Sequence, residues 1–219
     1  MGFCIFNNIA ICARYLIKKY GLKRILILDL DDHHGNGTQD TFYSTGKVLY
    51  ISLHEDPKGF PGTGFIDEIG QGDGSGYNVN IPLPFRTGDE NYLKAIKEIV
   101  VPIASQYSPQ FILISAGFDS HYSDPVGSLS LSSDCIGQLY KIAFDLASKN
   151  CNGRLLAALE GGYNTRILGQ LAKQAISMLG GGSYRLHDVP PLTKERIIRD
   201  GENALREVKK TQRTFWRLD

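Results

Sequence analysis

Short apolar runs alternate with helical segments along most of this sequence, and that alternation constrains the fold more than any other feature. Most of these runs are nearly unbroken, as in strands that are buried on both faces of a sheet, whereas residues 77–83 alternate between apolar and polar residues. They cover residues 24–30, 47–53, 77–83, 111–115 and 155–159. Helical spacing of apolar residues covers residues 8–20, 90–105, 133–148, 165–179 and about 193–210. This order predicts an α/β fold with a doubly wound, mostly parallel sheet in a three-layer αβα arrangement.

The composition of the 219 residues argues against several classes of protein. Lys and Arg total 24 against 23 Asp and Glu, so the formal net charge is +1. A chain without a basic field is not expected to bind nucleic acid directly through its phosphates. No run reaches the roughly 18 apolar residues that span a membrane, so no membrane partner is expected. The four cysteines form no Cys-x-x-Cys pair. This predicts buried thiols in a reducing compartment, the cytoplasm, or the nucleus in a eukaryote.

Polar side chains follow the first apolar run, where its strand is expected to end. Asp29, Asp31 and His33 are spaced two apart, so an extended chain directs all three to one side. Two carboxylates and an imidazole on one side are costly to bury without a cation, and they are typical ligands of a borderline metal. Ligands of doubly wound sheets bind at the carboxyl ends of the strands, so a metal site is predicted there.

Two later strand ends add polar groups at the same predicted edge. Asp119 follows the run 111–115 and is a candidate third metal ligand. The run 155–159 ends in Glu160, Gly161 and Gly162, and two adjacent glycines let the backbone approach a ligand closely. Tyr163 comes next, with a phenol that can donate a hydrogen bond to a developing oxyanion.

Seven segments in one order make the chain resemble the histone deacetylase superfamily, which includes acetylpolyamine amidohydrolases and acetoin-utilisation proteins. They are residues 2–8 (GFCIFNN), 29–38 (DLDDHHGNGT), 52–54 (SLH), 60–64 (FPGTG), 78–82 (NVNIP), 115–119 (SAGFD) and 159–164 (LEGGYN). The resemblance implies an arginase/deacetylase-like fold that covers almost the whole chain.

The resemblance also implies roles for individual residues. It makes Asp31, His33 and Asp119 the ligands of a catalytic Zn²⁺, and Tyr163 the residue that contacts the scissile carbonyl oxygen. Substrate binding falls to Gly2, Phe3, Phe60, Val126 and Gly162, with Phe3 and Phe60 as the two walls of an acyl-lysine tunnel. K⁺ is expected at two sites. The inner site uses Asp29, Ser52 and carbonyls that include that of Leu53, and the outer site uses Phe42, Thr45, Val48 and Tyr77.

Family members carry a His-His general base upstream of the Gly-Phe-Cys segment, and the five histidines of this chain include no spare pair. We therefore expect residues 1–219 to form a single, N-terminally incomplete catalytic domain that lacks its first strands. Residues 183–219 would form a C-terminal connection and helix. Three explanations stay open: a fragment of a longer protein, a truncated reading frame, or a partial domain that has lost catalysis.

The function predicted from the sequence is zinc-dependent hydrolysis of an acetylated amine, most simply acetyl-lysine, by a metal-activated water. This chain alone is expected to be inactive because the base is absent. The alternatives are a non-catalytic binding module, an acetylpolyamine amidohydrolase and an arginase-like dinuclear hydrolase. Val126 stands where polyamine-selective members carry an acidic residue, so its apolar side chain favours acyl-lysine. The oligomeric state and the role of Asp32 stay open.

Overall fold

A computed structural model describes residues 3–219 of the chain. Five strands form one parallel sheet in the order β3-β2-β1-β4-β5. The strands are β1 (Ile25–Asp29), β2 (Val48–Glu55), β3 (Asn78–Leu83), β4 (Phe111–Ala116) and β5 (Leu155–Leu159). The predicted α/β class and parallel sheet are confirmed.

Seven α-helices are described. They are α1 (Asn8–Tyr20), α2 (Asn36–Phe42), α3 (Asp89–Ala95), α4 (Val101–Tyr107), α5 (Ser133–Cys151), α6 (Leu168–Leu179) and α7 (Glu195–Gln212). A π-helical segment, Ile96–Val100, joins α3 to α4, so the predicted helix 90–105 is a composite of three pieces. The predicted helix 165–179 starts three residues later, at Leu168. Residues 183–194 form the predicted irregular connection to α7.

The two faces of the sheet bury separate apolar clusters because side chains alternate along each strand. Ile25 and Ile27 of β1 pack with α1, whereas Leu26 and Leu28 pack in the larger cluster on the other face. That larger cluster holds α5, α6, α7 and the α3–α4 unit. Helices therefore cover both faces, which makes three layers.

The order of the strands reverses between β1 and β4. From β1 the chain winds outward through β2 to β3, then returns to place β4 and β5 on the other side of β1. Ligands of doubly wound sheets bind at such a switch point, beyond the carboxyl ends of the strands. The segments that follow β1 and β4 are therefore where a site should lie.

Two expectations about local structure were wrong. The predicted helices include none between residues 20 and 90, yet the chain forms α2 there, at Asn36–Phe42. Burial was expected for all four thiols, yet Cys4 is exposed and Cys12 half-buried, while Cys135 and Cys151 are buried; all four are free. No described helix is long and apolar enough to cross a membrane.

Candidate metal site

Asp31, His33 and Asp119 meet at the switch point, beyond the ends of β1 and β4. The Nδ1 atom of His33 lies 3.3 Å from Asp31 Oδ1 and 3.1 Å from Asp119 Oδ2. One ligand atom from each residue falls within 4.8 Å of the other two. Asp119 is fully buried, and the side chains of Asp31 and His33 are only slightly exposed. The structure thus brings together the three predicted zinc ligands.

The electrostatics of this cluster call for a positive charge between the carboxylates. The Asp119 and Asp31 carboxylates raise the pKa of His33 to about 11, so a proton is held where they meet. Burial, and then the charge of Asp31, raise the pKa of Asp119 to about 7. A cation coordinated by both carboxylates and the neutral imidazole would satisfy the same requirement, so the donor set fits Zn²⁺.

Backbone amides fix the carboxylates of the two aspartates. The amide of Gly161 donates to Asp31 Oδ2 at 2.8 Å, and the amide of Asp32 donates to Asp119 Oδ1 at 3.0 Å. A Cβ atom on Gly161 would lie 2.2 Å from Asp119 Oδ2 and 2.7 Å from Asp31 Oδ2. The turn after β5 therefore requires glycine at position 161, because any side chain would displace both carboxylates.

Asp32 has a structural role that sequence reasoning missed. Its buried carboxylate accepts the amides of Ser128 at 2.7 Å and Leu129 at 2.9 Å, which ties the loop after Asp119 to the end of β1. Burial raises the pKa of Asp32 to about 6. No local signal indicates this role, because Asp32 stands in a polar segment between Asp31 and His33.

Asp124 is a second anchor that the sequence did not reveal. One carboxylate oxygen accepts the amides of Val126 and Gly127, at 2.9 and 3.2 Å. The other accepts the amides of Tyr163 and Asn164, at 2.7 and 3.0 Å. Asp124 thereby fixes the backbone of Tyr163. The Asp-Pro turn was the available signal, since Asp commonly accepts hydrogen bonds from the amides that follow it in turns.

Aromatic rings flank the metal cluster on two sides. Tyr163 packs edge-to-face with Phe3 at a centroid separation of 5.8 Å, and His33 packs in the same way with Phe60 at 6.1 Å. Both phenylalanines are exposed. Burial, followed by the charge of Asp119, raises the pKa of Tyr163 to about 12, so its phenol stays protonated at neutral pH.

The other predicted substrate residues lie around these rings. Val126 is exposed on the loop that Asp124 holds. Gly162 has φ +136, and a Cβ there would come within 3.1 Å of Phe118 Cβ, so glycine is required. Gly2 lies outside the described residues.

The predicted inner K⁺ residues are buried in neighbouring strands, with Asp29 at the end of β1 and Ser52 and Leu53 within β2. Burial, and then the charge of Asp31, raise the pKa of Asp29 well above its usual range, although the Tyr50 hydroxyl donates to it at 2.8 Å. Ser52 Oγ lies 2.8 Å from Nδ1 of His54, and Leu53 is fully buried. A buried carboxylate held in this way fits a monovalent cation, which would favour its charged form.

The predicted outer residues surround the connection from α2 to β2. Phe42 is the last residue of α2, the Thr45 amide donates to its carbonyl, and Val48 begins β2. The Tyr77 ring packs within 2.9 Å of where a Cβ of Gly46 would stand.

The other histidines lie away from the metal cluster or are engaged elsewhere. His34 contacts Thr63 and Gln39, and His54 contacts Ser52 and the carbonyl of Gly64. His121 is buried against Asp188 and Ser133, and His187 is mostly exposed near Asp134. Among the described residues, no second histidine faces the metal cluster.

A sequence model of the histone deacetylase domain matches residues 1–179, which is most of the chain. The chain belongs to the histone deacetylase family. It is 40% identical over 99% of its length to a probable deacetylase of Archaeoglobus fulgidus, of which it covers 62%. It is also 40% identical over 95% of its length to the chloroplastic histone deacetylase 14 of Arabidopsis thaliana, of which it covers 50%. The chain thus spans about half to three-fifths of the length of these two relatives.

Solved histone deacetylase structures share the fold. The crystal structure of the HDA15 HD domain superposes with a TM-score of 0.84 at 39% identity, and the match covers 99% of this chain and 57% of that one. The histone deacetylase Clr3 superposes with a TM-score of 0.85 at 32% identity, over 97% of this chain and 36% of that one. These similarities confirm the arginase/deacetylase-like architecture.

Proposed function

We propose that the chain is the metal-binding part of a zinc-dependent deacetylase that hydrolyses acetyl-lysine. The observation that carries this proposal is the convergence of Asp31, His33 and Asp119, from two strands, on one cation-sized position. Two carboxylates and one imidazole leave coordination positions open, which is typical of catalytic rather than structural zinc. Bound there, Zn²⁺ would polarise a carbonyl and lower the pKa of a water molecule toward about 7.

Tyr163 is the residue that we assign to the scissile carbonyl. Its phenol keeps its proton at neutral pH and can therefore donate to an oxygen that gains negative charge. Asp124 holds its backbone, and the ring of Phe3 restricts its side chain. Phe3 and Phe60 present exposed rings next to the cluster, which suits the apolar stem of an acyl-lysine.

A general base is the group that the described residues do not provide. Such a base must reach the attacking water while the neutral imidazole of His33 serves as a ligand. We therefore propose that residues 1–219 form one incomplete catalytic domain, with the base supplied by polypeptide beyond them, and that this chain alone has little turnover. The lack of a general base among the described residues also favours one alternative, a non-catalytic binding module.

The two enzymatic alternatives receive less support from the site. A dinuclear, arginase-like centre needs further carboxylates. Asp32 and Glu55 lie close enough to His33 to hold a second ion, but both oxygens of Asp32, like both of Asp124, already accept backbone amides. A polyamine substrate calls for an acidic group at the rim, where Val126 is apolar. We also propose K⁺ beside Asp29, and a reducing compartment such as the cytoplasm because the four thiols are free.

Metal content and affinity test the proposal directly. We expect one equivalent of Zn²⁺, measured by chelator competition and by the rise in melting temperature on zinc addition. Asp119→Ala should abolish both effects, and Asp73→Ala, an exposed control, should change neither. Two equivalents of Mn²⁺ in place of one Zn²⁺ would support the dinuclear alternative instead.

Turnover of a fluorogenic acetyl-lysine peptide tests the assignment of the reaction. We expect little activity from residues 1–219 and substantial activity from a version extended through the preceding segment of a family domain. In that version Tyr163→Phe should lower kcat by about 10²–10³-fold. Equal turnover by the short and extended forms would contradict the need for an external base.

A further inference from the structure

His121 is a buried histidine that the proposed mechanism does not use. It lies two residues after Asp119, in the loop that follows β4, and only 1% of its surface is exposed. Its Nε2 atom lies 2.9 Å from Asp188 Oδ2, and its Nδ1 atom lies 2.9 Å from Ser123 Oγ. A buried polar group is costly unless it is hydrogen-bonded, and here both ring nitrogens have partners. The ring therefore joins the loop after β4 to the connection that leads to α7.

The chemistry of these partners determines which ring nitrogen carries a proton. An ionised carboxylate can only accept a hydrogen bond, so Nε2 donates to Asp188. A backbone amide can only donate, and the Ser123 amide lies 3.3 Å from Nδ1, so Nδ1 accepts. The Ser123 hydroxyl then donates to Nδ1 and accepts from Nδ2 of Asn164 at 2.8 Å. All these hydrogen bonds point toward the carboxylate, and bonds arranged in this way strengthen one another. We call the four residues the Asp188 series: Asp188, His121, Ser123 and Asn164.

The Asp188 series ends beside Tyr163, the residue assigned to the scissile carbonyl. Nδ2 of Asn164 also donates to the Ser123 carbonyl at 3.0 Å, so two hydrogen bonds join these residues. The next residue in the loop, Asp124, accepts the amides of Tyr163 and Asn164. The Asp124 amide in turn donates to the His121 carbonyl at 2.8 Å. Displacement of His121 would therefore move both anchors of the Tyr163 backbone.

The other end of the series is anchored to two helices. Asp188 accepts the amide of Ser133 at 3.0 Å and its hydroxyl at 2.6 Å, at the start of α5. Two residues before Asp188, the Leu186 amide donates to the side chain of Gln174 in α6. Gln174 is fully buried, and its own side-chain nitrogen donates to the Ser133 carbonyl at 2.5 Å. Asp188 thus has a fixed position although it belongs to an irregular connection.

The phenol of Tyr163 depends on its backbone for its position. Gly161 and Gly162 precede it and have no side chains that could anchor the turn. The Tyr163 ring is half-buried, and the ring contact described for it is with Phe3, which is 84% exposed. A group that donates to a developing oxyanion must be held within about 0.5 Å of its working position. The residues that fix this backbone should therefore influence the reaction.

We propose that His121 and Asp188 are positioning residues, and that the Asp188 series holds the backbone of Tyr163 where its phenol can meet the scissile carbonyl. The proposal rests on the proposed function, because that function assigns Tyr163 to the carbonyl. Both residues act through Ser123 and Asn164 and not by contact with the substrate. The connection between α6 and α7 thereby contributes to the site, although it follows Tyr163 in sequence by a whole helix.

Amide hydrogen exchange in residues 1–219 tests the proposal without metal or turnover. In His121→Ala, we expect the amides of Tyr163 and Asn164 to exchange about five- to tenfold faster, as after the loss of roughly one hydrogen bond. The amides of α1, which packs on the other face of the sheet from α5, should keep their native rates. His187→Ala is the matched control, because this neighbour of Asp188 has a side chain that is 76% exposed. It should change neither set of rates.

Two milder substitutions test the links of the series one at a time. Asp188→Asn keeps the size of the side chain but leaves one oxygen to serve both the Ser133 amide and His121. It should raise exchange at Tyr163 as His121→Ala does. His121→Asn retains a side-chain oxygen near the position of Nδ1, which can still accept from Ser123. It should therefore raise the exchange rates less than His121→Ala.

Turnover by the version extended through the preceding segment of a family domain connects the series to the reaction. There, His121→Ala should lower kcat by about 10- to 100-fold, as expected for a small misplacement of a catalytic group, with KM and zinc affinity little changed. In a Tyr163→Phe background the same substitution should have no further effect, because the phenol that the series positions is absent. His187→Ala should retain the native kcat.

Three results would overturn the proposal. One is native exchange at Tyr163 and Asn164 in both His121→Ala and Asp188→Asn. Another is an equal acceleration of the α1 amides, which would show a purely structural role. The third is independent losses of kcat from His121→Ala and Tyr163→Phe. By contrast, an unchanged kcat in Tyr163→Phe, with faster exchange at Tyr163 in His121→Ala, would refute the proposed role of Tyr163 and still show that the series holds its backbone.

Discussion

Substitution of Gly161 by alanine should weaken zinc binding through a purely steric effect. The added Cβ would lie 2.2 Å from Asp119 Oδ2 and 2.7 Å from Asp31 Oδ2, whereas real Cβ contacts essentially never fall below 3.0 Å. Both carboxylate oxygens must therefore move by several tenths of an ångström, or the turn must shift and take the Gly161 amide away from Asp31. Either change alters the arrangement of the predicted ligands.

The size of the effect follows from the known sensitivity of metal sites to groups that orient their ligands. Loss of such a partner commonly reduces metal affinity by 10–100-fold, which is about 1.4–2.8 kcal/mol. We expect Gly161→Ala to fall at or above the upper end of this range, because two ligands are displaced by one methyl group. The assay is competition with a chromophoric zinc chelator at fixed pH, alongside urea unfolding of the metal-free protein.

Gly169 provides the matched control for this substitution. It lies in α6, and a Cβ at that position would meet no atom within 4 Å. Gly169→Ala should leave zinc affinity unchanged and stabilise the protein by about 0.5–1 kcal/mol, the difference between alanine and glycine in a helix. Unchanged zinc affinity in Gly161→Ala would refute the assignment of Asp31 and Asp119 as zinc ligands.

Three further predictions concern stability, each measured by urea unfolding. Asp32→Ala should lower the free energy of unfolding by about 2–4 kcal/mol, because the buried amides of Ser128 and Leu129 lose their acceptor. A loss below about 0.5 kcal/mol would show that Asp32 does not anchor the loop after Asp119. Burial, followed by the charge of His34, lowers the pKa of His54 to about 3. The stability that neutral His54 contributes is therefore fully present above pH 6.5 and is lost as the pH falls toward 3, by up to about 5 kcal/mol. His54→Asn should flatten this part of the profile of unfolding free energy against pH, and an unchanged slope would contradict the role of His54. Ser132→Ala should lower the free energy of unfolding by about 1 kcal/mol, because the Ser132 hydroxyl caps α5 by accepting from the Cys135 amide at 3.0 Å. An unchanged free energy of unfolding would contradict this capping role.

Elements with local signals in the sequence could be predicted without the structure. Helix α1 has the predicted bounds, because apolar spacing defines its buried face and Gly21 can adopt the left-handed conformation that ends it. The strands were predicted to within a few residues, since unbroken apolar runs of this length suit a parallel sheet. The candidate ligands were predicted from the rule that doubly wound sheets bind at their carboxyl edge, and that rule requires only the order of the elements.

Tertiary structure alone decided the features that depend on residues distant in sequence. Asp32 acquires its role from amides 96 and 97 residues away, and His121 is held by Asp188, 67 residues away. The exposure of β5 depends on which strands stand beside it, and its apolar sequence is the same for a central strand as for an edge. Periodicity reports which faces of an element are apolar, but the neighbour that covers each face is set by the packing of the whole chain.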